Sequence, residues 1–427
     1  MDIHVVRAGE TVSSVAARYG VPAGILAGVN GVAPDAPLAV GQTLVVRRPR
    51  ELHAVASGES VYSIALRYGL SVRTLYQNNP ALGGRSALYP GQTLVIAYDD
   101  TPTRTLAVNA YSYPFIRGGL LDAALPYLTY LTPFTYGINA DGTLLPLADE
   151  WLLAAAGQYR TAALMHLSTL TEEGRFDNAR STLILEDADA QDALVQSILE
   201  TVQARHYFGL DVDFEYVLPE QREAYAAFIT RLREALNPLG CPVIVALAPK
   251  TSAVQRGLLY EAHDYALLGA AANAVFLMTY EWGYTYGPPM AVAPLGQVRA
   301  VLDYALTAVA PEKIFMGIPL YGYDWPLPFV SGKTRAESLS PVQAVERALR
   351  HDIAIQYDAA AQAPYYHYTD RSGREHAVWF EDARSIEAKL RLADEYHLQG
   401  VGYWNLTRPF PQNWAVLASL FDIETLL

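Results

Sequence analysis

Between Tyr207 and Val217 the sequence reads YFGLDVDFEYV, which places carboxylates at Asp211, Asp213 and Glu215, every second position of an apolar run. In a β-strand, residues two apart share a face, so the three acids crowd one side while Leu210, Val212 and Phe214 take the other. Like charges so placed repel, and acids are rarely buried without a task. Two kinds of chemistry fit. Asp-x-Asp-x-Glu could hold Mg²⁺ or Mn²⁺, which favour carboxylate oxygens, although no His-x-x-x-His or Glu-x-x-His pair accompanies it. Alternatively the acids move protons. A carboxyl beside a second carboxylate keeps its proton to higher pH, so Asp213 would help hold Glu215 protonated and ready to donate.

If the acceptor is a glycosidic oxygen, the spacing has a further consequence. Ordinary glycosidases need two carboxyls on opposite faces of the scissile bond. Residues two apart on one strand lie on the same side, so Asp213 cannot be the opposing nucleophile. A 2-acetamido group on the substrate itself can supply that missing part.

The elements that must position the trio follow from the pattern after Thr105. Short apolar runs, among them LAVNAYSY, TAALMHLS, PVIVALAP, NAVFLMTY and GVGYWNL, alternate with stretches of helical length such as QREAYAAFITRLREALNP. Buried strands alternating with helices predict an α/β fold, a parallel (β/α)₈ TIM barrel over 105–427, with strand C-termini carrying the site. An open doubly wound sheet is the competitor, but no Gly-x-Gly-x-x-Gly turn follows an early strand. An excursion at about 324–378 contains YYHYTDRSGREHAVWF, which reads as a small β-hairpin.

The N-terminal region repeats itself. HVVRAGETVSSVAARYGV from His4 parallels HAVASGESVYSIALRYGL from His53, and each copy closes on GQTLVV or GQTLVI. Thr11 and Ser60 sit where a helix N-cap would, and a second short helix fits PAGILAGVN and SVRTLYQNN. Each copy is therefore expected as a small βααβ module, over 1–48 and 52–97, with RRPRE (47–51) and AYDDTPTR (97–104, the linker proper being 98–104) read as linkers. These repeats resemble LysM modules, which recognise N-acetylglucosamine in peptidoglycan and chitin. The resemblance implies a shallow sugar groove at Gly9, Glu10, Thr11, Asn30 and Leu38, and at Gly58, Glu59, Ser60, Asn79 and Leu88. Two weak grooves in tandem would gain by avidity.

The large domain is similar to the chitinase-type family 18 glycoside hydrolases, whose strand-four signature is Asp-Gly-x-Asp-x-Asp-x-Glu. Here it reads Phe208-Gly209-Leu210-Asp211-Val212-Asp213-Phe214-Glu215; only the leading acid is replaced. The family's Met-x-Tyr-Asp appears as Met278-Thr279-Tyr280-Glu281. The resemblance implies Glu215 as proton donor with Asp213 and Asp211 behind it, and Tyr280 bonding the acetamido carbonyl. Trp404 would be the floor under the sugar, with Glu281, Met278 and Tyr111 lining the same subsite. No cofactor and no metal is implied.

More narrowly, LysM–LysM–barrel order and stretches such as YWNLTRPFPQNW resemble spore-germination glycosidases that cut spore-cortex peptidoglycan. That implies an N-acetylglucosaminidase of the cortex, coat or cell wall. MDIHVVRAGETV has no basic start leading into an apolar core, so no signal peptide is expected, as for a protein laid down from the mother cell. A chitinase or an endo-β-N-acetylglucosaminidase on other glycans is the enzymatic alternative, and an inactive wall-binding, lectin-like protein the other. The net charge of −13 argues against a nucleic acid partner, and no apolar run approaches the length of a membrane span. The one cysteine, Cys241, cannot form an internal disulfide and reads as a buried structural thiol.

Overall fold

The computed structural model describes residues 1–427. Eight strands, β1 (Arg104–Ser112), β2 (Tyr130–Pro133), β3 (Ala162–Ser168), β4 (Gly209–Asp213), β5 (Val243–Leu247), β6 (Ala274–Leu277), β7 (Ile314–Pro319) and β8 (Gly400–Trp404), pair in parallel in chain order. β8 returns to β1, Gly400 opposite Ala107 through Tyr403 opposite Ala110, so the sheet closes. Closure excludes the open doubly wound alternative and bears out the (β/α)₈ barrel.

Outward side chains of the strands pack the helical ring. Phe214 stacks on Tyr225 with centroids 5.7 Å apart, and Tyr225 belongs to helix α1 (Arg222–Leu236), which also buries Phe228, Ile229, Leu232 and Leu236. That spacing is the i, i+3, i+4, i+7 stripe of a helix facing a core. Cys241 is buried at the entry to β5. No single helix is long and apolar enough to cross a membrane.

The excursion after β7 is larger than a hairpin. Five strands, Gly322–Pro326, Glu337–Leu339, Gln356–Asp358, Ala363–Thr369 and Glu375–Trp379, form an antiparallel sheet with a helix over Pro341–Arg350. The expected hairpin is its 363–379 part. The other three strands are only three to five residues long, too short for alternation to reveal.

Each N-terminal module pairs its first and last strands antiparallel around two helices. Thr11 and Ser60 each close a capping box with the serine three residues on. RRPRE is not a free linker. Pro49–Ala54 is the first strand of the second module, and Arg47 is buried against Asp100 at 2.6 Å. Both modules dock on the barrel, unequally. In the first, Gln412 of the last helix donates to Thr43 O at 2.6 Å and Asn30 Oδ1 at 3.0 Å. Ile355 of the insertion donates its N–H to Val40 O at 2.8 Å. The second module is held through Arg73 and Gln77, which donate to the Pro126 carbonyl at 2.8 and 2.6 Å.

Candidate active site

The acid trio is graded by depth. Asp211 is fully buried, Asp213 is 6% exposed, and Glu215 is half-buried beyond the end of β4, at the mouth. β4 stops at Asp213, so Glu215 stands in the following turn rather than on the strand itself. Tyr111 Oη donates to Asp211 Oδ2 at 2.7 Å, while Oδ1 of both Asp211 and Asp213 lacks a protein partner. His166 Nε2 lies 3.7 Å from Asp213, but burial pushes that imidazole down to about 3, so it is neutral and gives no countercharge. The three acids do not converge on a point that could hold a metal ion.

Burial dominates the titration of all three. It raises Asp211 to about 7, against the Tyr111 hydrogen bond, and raises Asp213 well above the usual carboxylate range with help from the charges of Glu215 and Asp211. Glu215 is raised to about 6, by burial and then by the charge of Glu281. The charges of Asp213 and Glu215 act on one another across the pair, and a second carboxylate, Glu281 on a different strand end, adds to the burial that keeps Glu215 protonated.

Met278, Tyr280 and Glu281 follow the end of β6, and Trp404 ends β8, so the C-terminal rim gathers them around one cavity of about 510 Å³ with Asp213 and Glu215. Burial, then the charges of Asp213 and Glu215, hold the Tyr280 phenol far above neutral, so it keeps its proton and can donate it in a hydrogen bond. Glu281 sits at φ 68°, a left-handed conformation that costs a non-glycine residue roughly 1 kcal/mol or more. Its carboxylate accepts from Tyr321 and, at 3.0 Å, from Tyr323. It is open to cleft solvent, yet the surrounding walls still raise it, with those tyrosines opposing. Trp404 packs edge-on against Tyr111, Phe134 and Tyr113 at 4.9 to 5.9 Å, which leaves it fixed as a flat cavity wall.

Tyr111 departs from its expected role. It borders the cavity but is 2% exposed, and its hydroxyl is committed to Asp211, so it supports the acids from behind. Phe208, where the family signature has an acid, lies at the entry to β4 against Tyr130, at the opposite end from Glu215.

Sequence patterning did not single out His166 and His263. His263 bridges strand ends: Nδ1 accepts the Ala248 N–H at 2.8 Å, and Nε2 donates to the Phe214 carbonyl at 3.0 Å. Burial lowers it to about 4, so it stays neutral. His166 lies within β3, where a lone polar residue in an apolar run was the available signal; for His263, nothing local distinguishes a histidine in an irregular loop from a surface one.

The module residues divide. Gly9, Thr11, Gly58 and Ser60 are exposed, and Leu38 and Leu88 half-buried beside them. Asn30 and Asn79 are instead scaffold. Each side chain is buried and bonds the last strand, accepting the N–H of Val45 or Val95 at 2.7 and 2.8 Å. Glu10 and Glu59 are likewise occupied, each bonding a buried histidine, His4 or His53, at 2.7 Å and a loop N–H three residues back. They shape the groove loop rather than face a sugar.

Residues 171–408 match the family described as Glycosyl hydrolases family 18, and residues 4–47 and 53–97 match the LysM domain. The chain is 40% identical over 433 residues to the cortical fragment-lytic enzyme of Bacillus subtilis, covering 99% of each. Among solved structures it resembles the Bacillus cereus spore cortex-lytic enzyme SleL, with a TM-score of 0.84, 38% identity, and coverage of 99% of this chain and 98% of that one. A chitinase from Chromobacterium violaceum aligns at a TM-score of 0.68 and 25% identity, over 74% of this chain and 98% of its own.

Proposed function

This chain belongs to glycosyl hydrolase family 18 and is a glycosidase, and from that premise we propose that it cuts spore-cortex peptidoglycan after N-acetylglucosamine. The observation that carries the reading is the one-sided acid series. Glu215 opens into the cavity with its proton retained to about pH 6, and its two companions lie behind it on the same strand. The other cavity carboxylate, Glu281, is tied to Tyr321 and Tyr323, which suits it to bonding sugar hydroxyls rather than attacking C1.

The steps follow from those positions. Glu215 donates its proton to the glycosidic oxygen as the bond breaks. The substrate's 2-acetamido oxygen attacks C1 as the leaving group departs, giving an oxazolinium ion, with Tyr280 donating to that oxygen and an Asp213 carboxyl oxygen placed to accept the acetamide N–H bond as the nitrogen gains charge. Trp404 supports the sugar face. Water then opens the oxazoline, with Glu215 as base, so configuration is retained.

The relatives' names, cortical fragment-lytic and spore cortex-lytic, support the cortex as substrate and the spore wall as the place of action. The modules are proposed to hold the enzyme on glycan, with the second as the main contact. The loop before the last strand of the first is anchored to Ile355 and buries Ala39, whereas Tyr89 at the matching position of the second is 71% exposed. The test is cleavage of cortex glycan whose 2-acetamido groups have been removed. Loss of hydrolysis is expected; retained hydrolysis would overturn substrate assistance.

A further inference from the structure

The cavity at Glu215 continues past Trp404 into a second compartment of about 600 Å³, and Tyr113, Glu281 and Trp404 border both. Arg408 lines the second compartment and is the one cation among the residues lining either. It is half-buried, and both its hydrogen bonds go to Ser338 of the insertion, Nη2 reaching Oγ at 3.1 Å. Neither partner carries charge, so the guanidinium is fixed in direction and keeps donors free. A planar fork held this way is suited to a carboxylate or carbonyl oxygen. Phe115, 75% exposed and stacked on Tyr113 at 4.9 Å, adds an apolar wall for a sugar face.

The inference rests on the proposed cut after N-acetylglucosamine. In a glycan that strictly alternates N-acetylglucosamine with a muramic sugar, an N-acetylglucosamine at Glu215 has muramic neighbours on both sides. The muramic unit differs by its 3-O-lactyl group, which ends in a carboxylate, a peptide amide or an internal lactam. Each presents an acceptor oxygen. We propose that Arg408 is a specificity-determining residue that donates to the acyl oxygen of that lactyl group, so the second compartment selects muramic glycan over a chitin chain.

The experiment compares kcat/KM on soluble muramic tetrasaccharides and on N-acetylchitotetraose for the full-length wild type, Arg408→Ala and Arg408→Lys. The muramic substrates are supplied as open lactyl carboxylates and as lactams. In Arg408→Ala the muramic-to-chitin ratio is expected to fall roughly 10- to 100-fold, the range of a lost charged hydrogen bond, and Arg408→Lys to fall less. A loss confined to the open form assigns the carboxylate, and a loss on both assigns the carbonyl. An unchanged ratio, including equal loss on both glycans as the Ser338 contact fails, overturns the inference. Product analysis of the wild type separates the premise: if it does not cut muramic glycan after N-acetylglucosamine, the proposed function fails, and the inference with it.

Discussion

His263 donates to the carbonyl of Phe214 at 3.0 Å, one residue before Glu215, while its other nitrogen accepts from Ala248 at 2.8 Å. One neutral imidazole thus ties the turn carrying the proton donor to the end of β5. Removing it leaves a buried carbonyl and a buried N–H unpaired, each costing about 1–3 kcal/mol. His263→Ala is expected to lower kcat about tenfold or more with KM little changed, because the donor is misplaced rather than the sugar released. His263→Gln, which can donate and accept, should recover part of kcat. Steady-state kinetics on both variants, with melting curves, checks this; equal loss in kcat and 1/KM would point to a collapsed cleft.

Glu215→Gln should lower kcat/KM roughly 10²- to 10⁴-fold, the usual worth of a general acid. In the wild type, activity should fall as pH rises through about 6, where Glu215 loses its proton. The sign for Glu281→Gln follows. The Glu281 charge raises Glu215, so removing it lowers that pKa and moves the alkaline limb to lower pH. A pH–rate profile that does not move would detach Glu281 from the donor.

Asp211 and Asp213 bind protons more tightly folded than unfolded, because burial raises both. The cost of ionising them is absent at about pH 4 and grows as pH rises towards 7. Asp213→Asn should therefore stabilise the chain at pH 7, by roughly 2–4 °C in Tm per kcal/mol released, and by much less at pH 4. Activity should fall in the same variant, the trade expected of a strained site. A Tm gain equal at both pH values would exclude the linkage.

The barrel and the modules were legible because their signals are long. Strand runs recur, the two copies share their turn, helix cap and closing strand at matching positions, and period-two acids stand out in an apolar strand. The gathering of Glu215, Tyr280 and Trp404 at one cavity was legible because strand-end motifs carry them. The roles of Glu10, Asn30 and Tyr111 were not, because a residue type that can bind a sugar can as well bond a strand. Only the fold shows Asn30 on Val45 and Tyr111 on Asp211. His263 and Arg408 lie in loops without period, brought to the site by connections whose geometry no local pattern encodes. The different seating of the two related modules is likewise tertiary.

That inequality can be measured with one pair of substitutions. Gly41 and Gly91 are equivalent positions with φ of 82° and 85°, so alanine meets the same backbone penalty at each. A Cβ on Gly41 would lie 2.0 Å from the Ile355 carbonyl oxygen of the insertion, whereas one on Gly91 meets nothing within 4 Å. Gly91→Ala should cost about 1 kcal/mol, the conformational term alone. Gly41→Ala should cost clearly more, since the carbonyl belongs to backbone that cannot simply swing away. It should also loosen the first module, seen as faster hydrogen exchange at Ile355, whose N–H donates to the Val40 carbonyl across the interface. Equal destabilisation by the two variants would mean that the insertion does not hold the loop before the last strand of the first module, and would remove the ground for assigning glycan capture chiefly to the second.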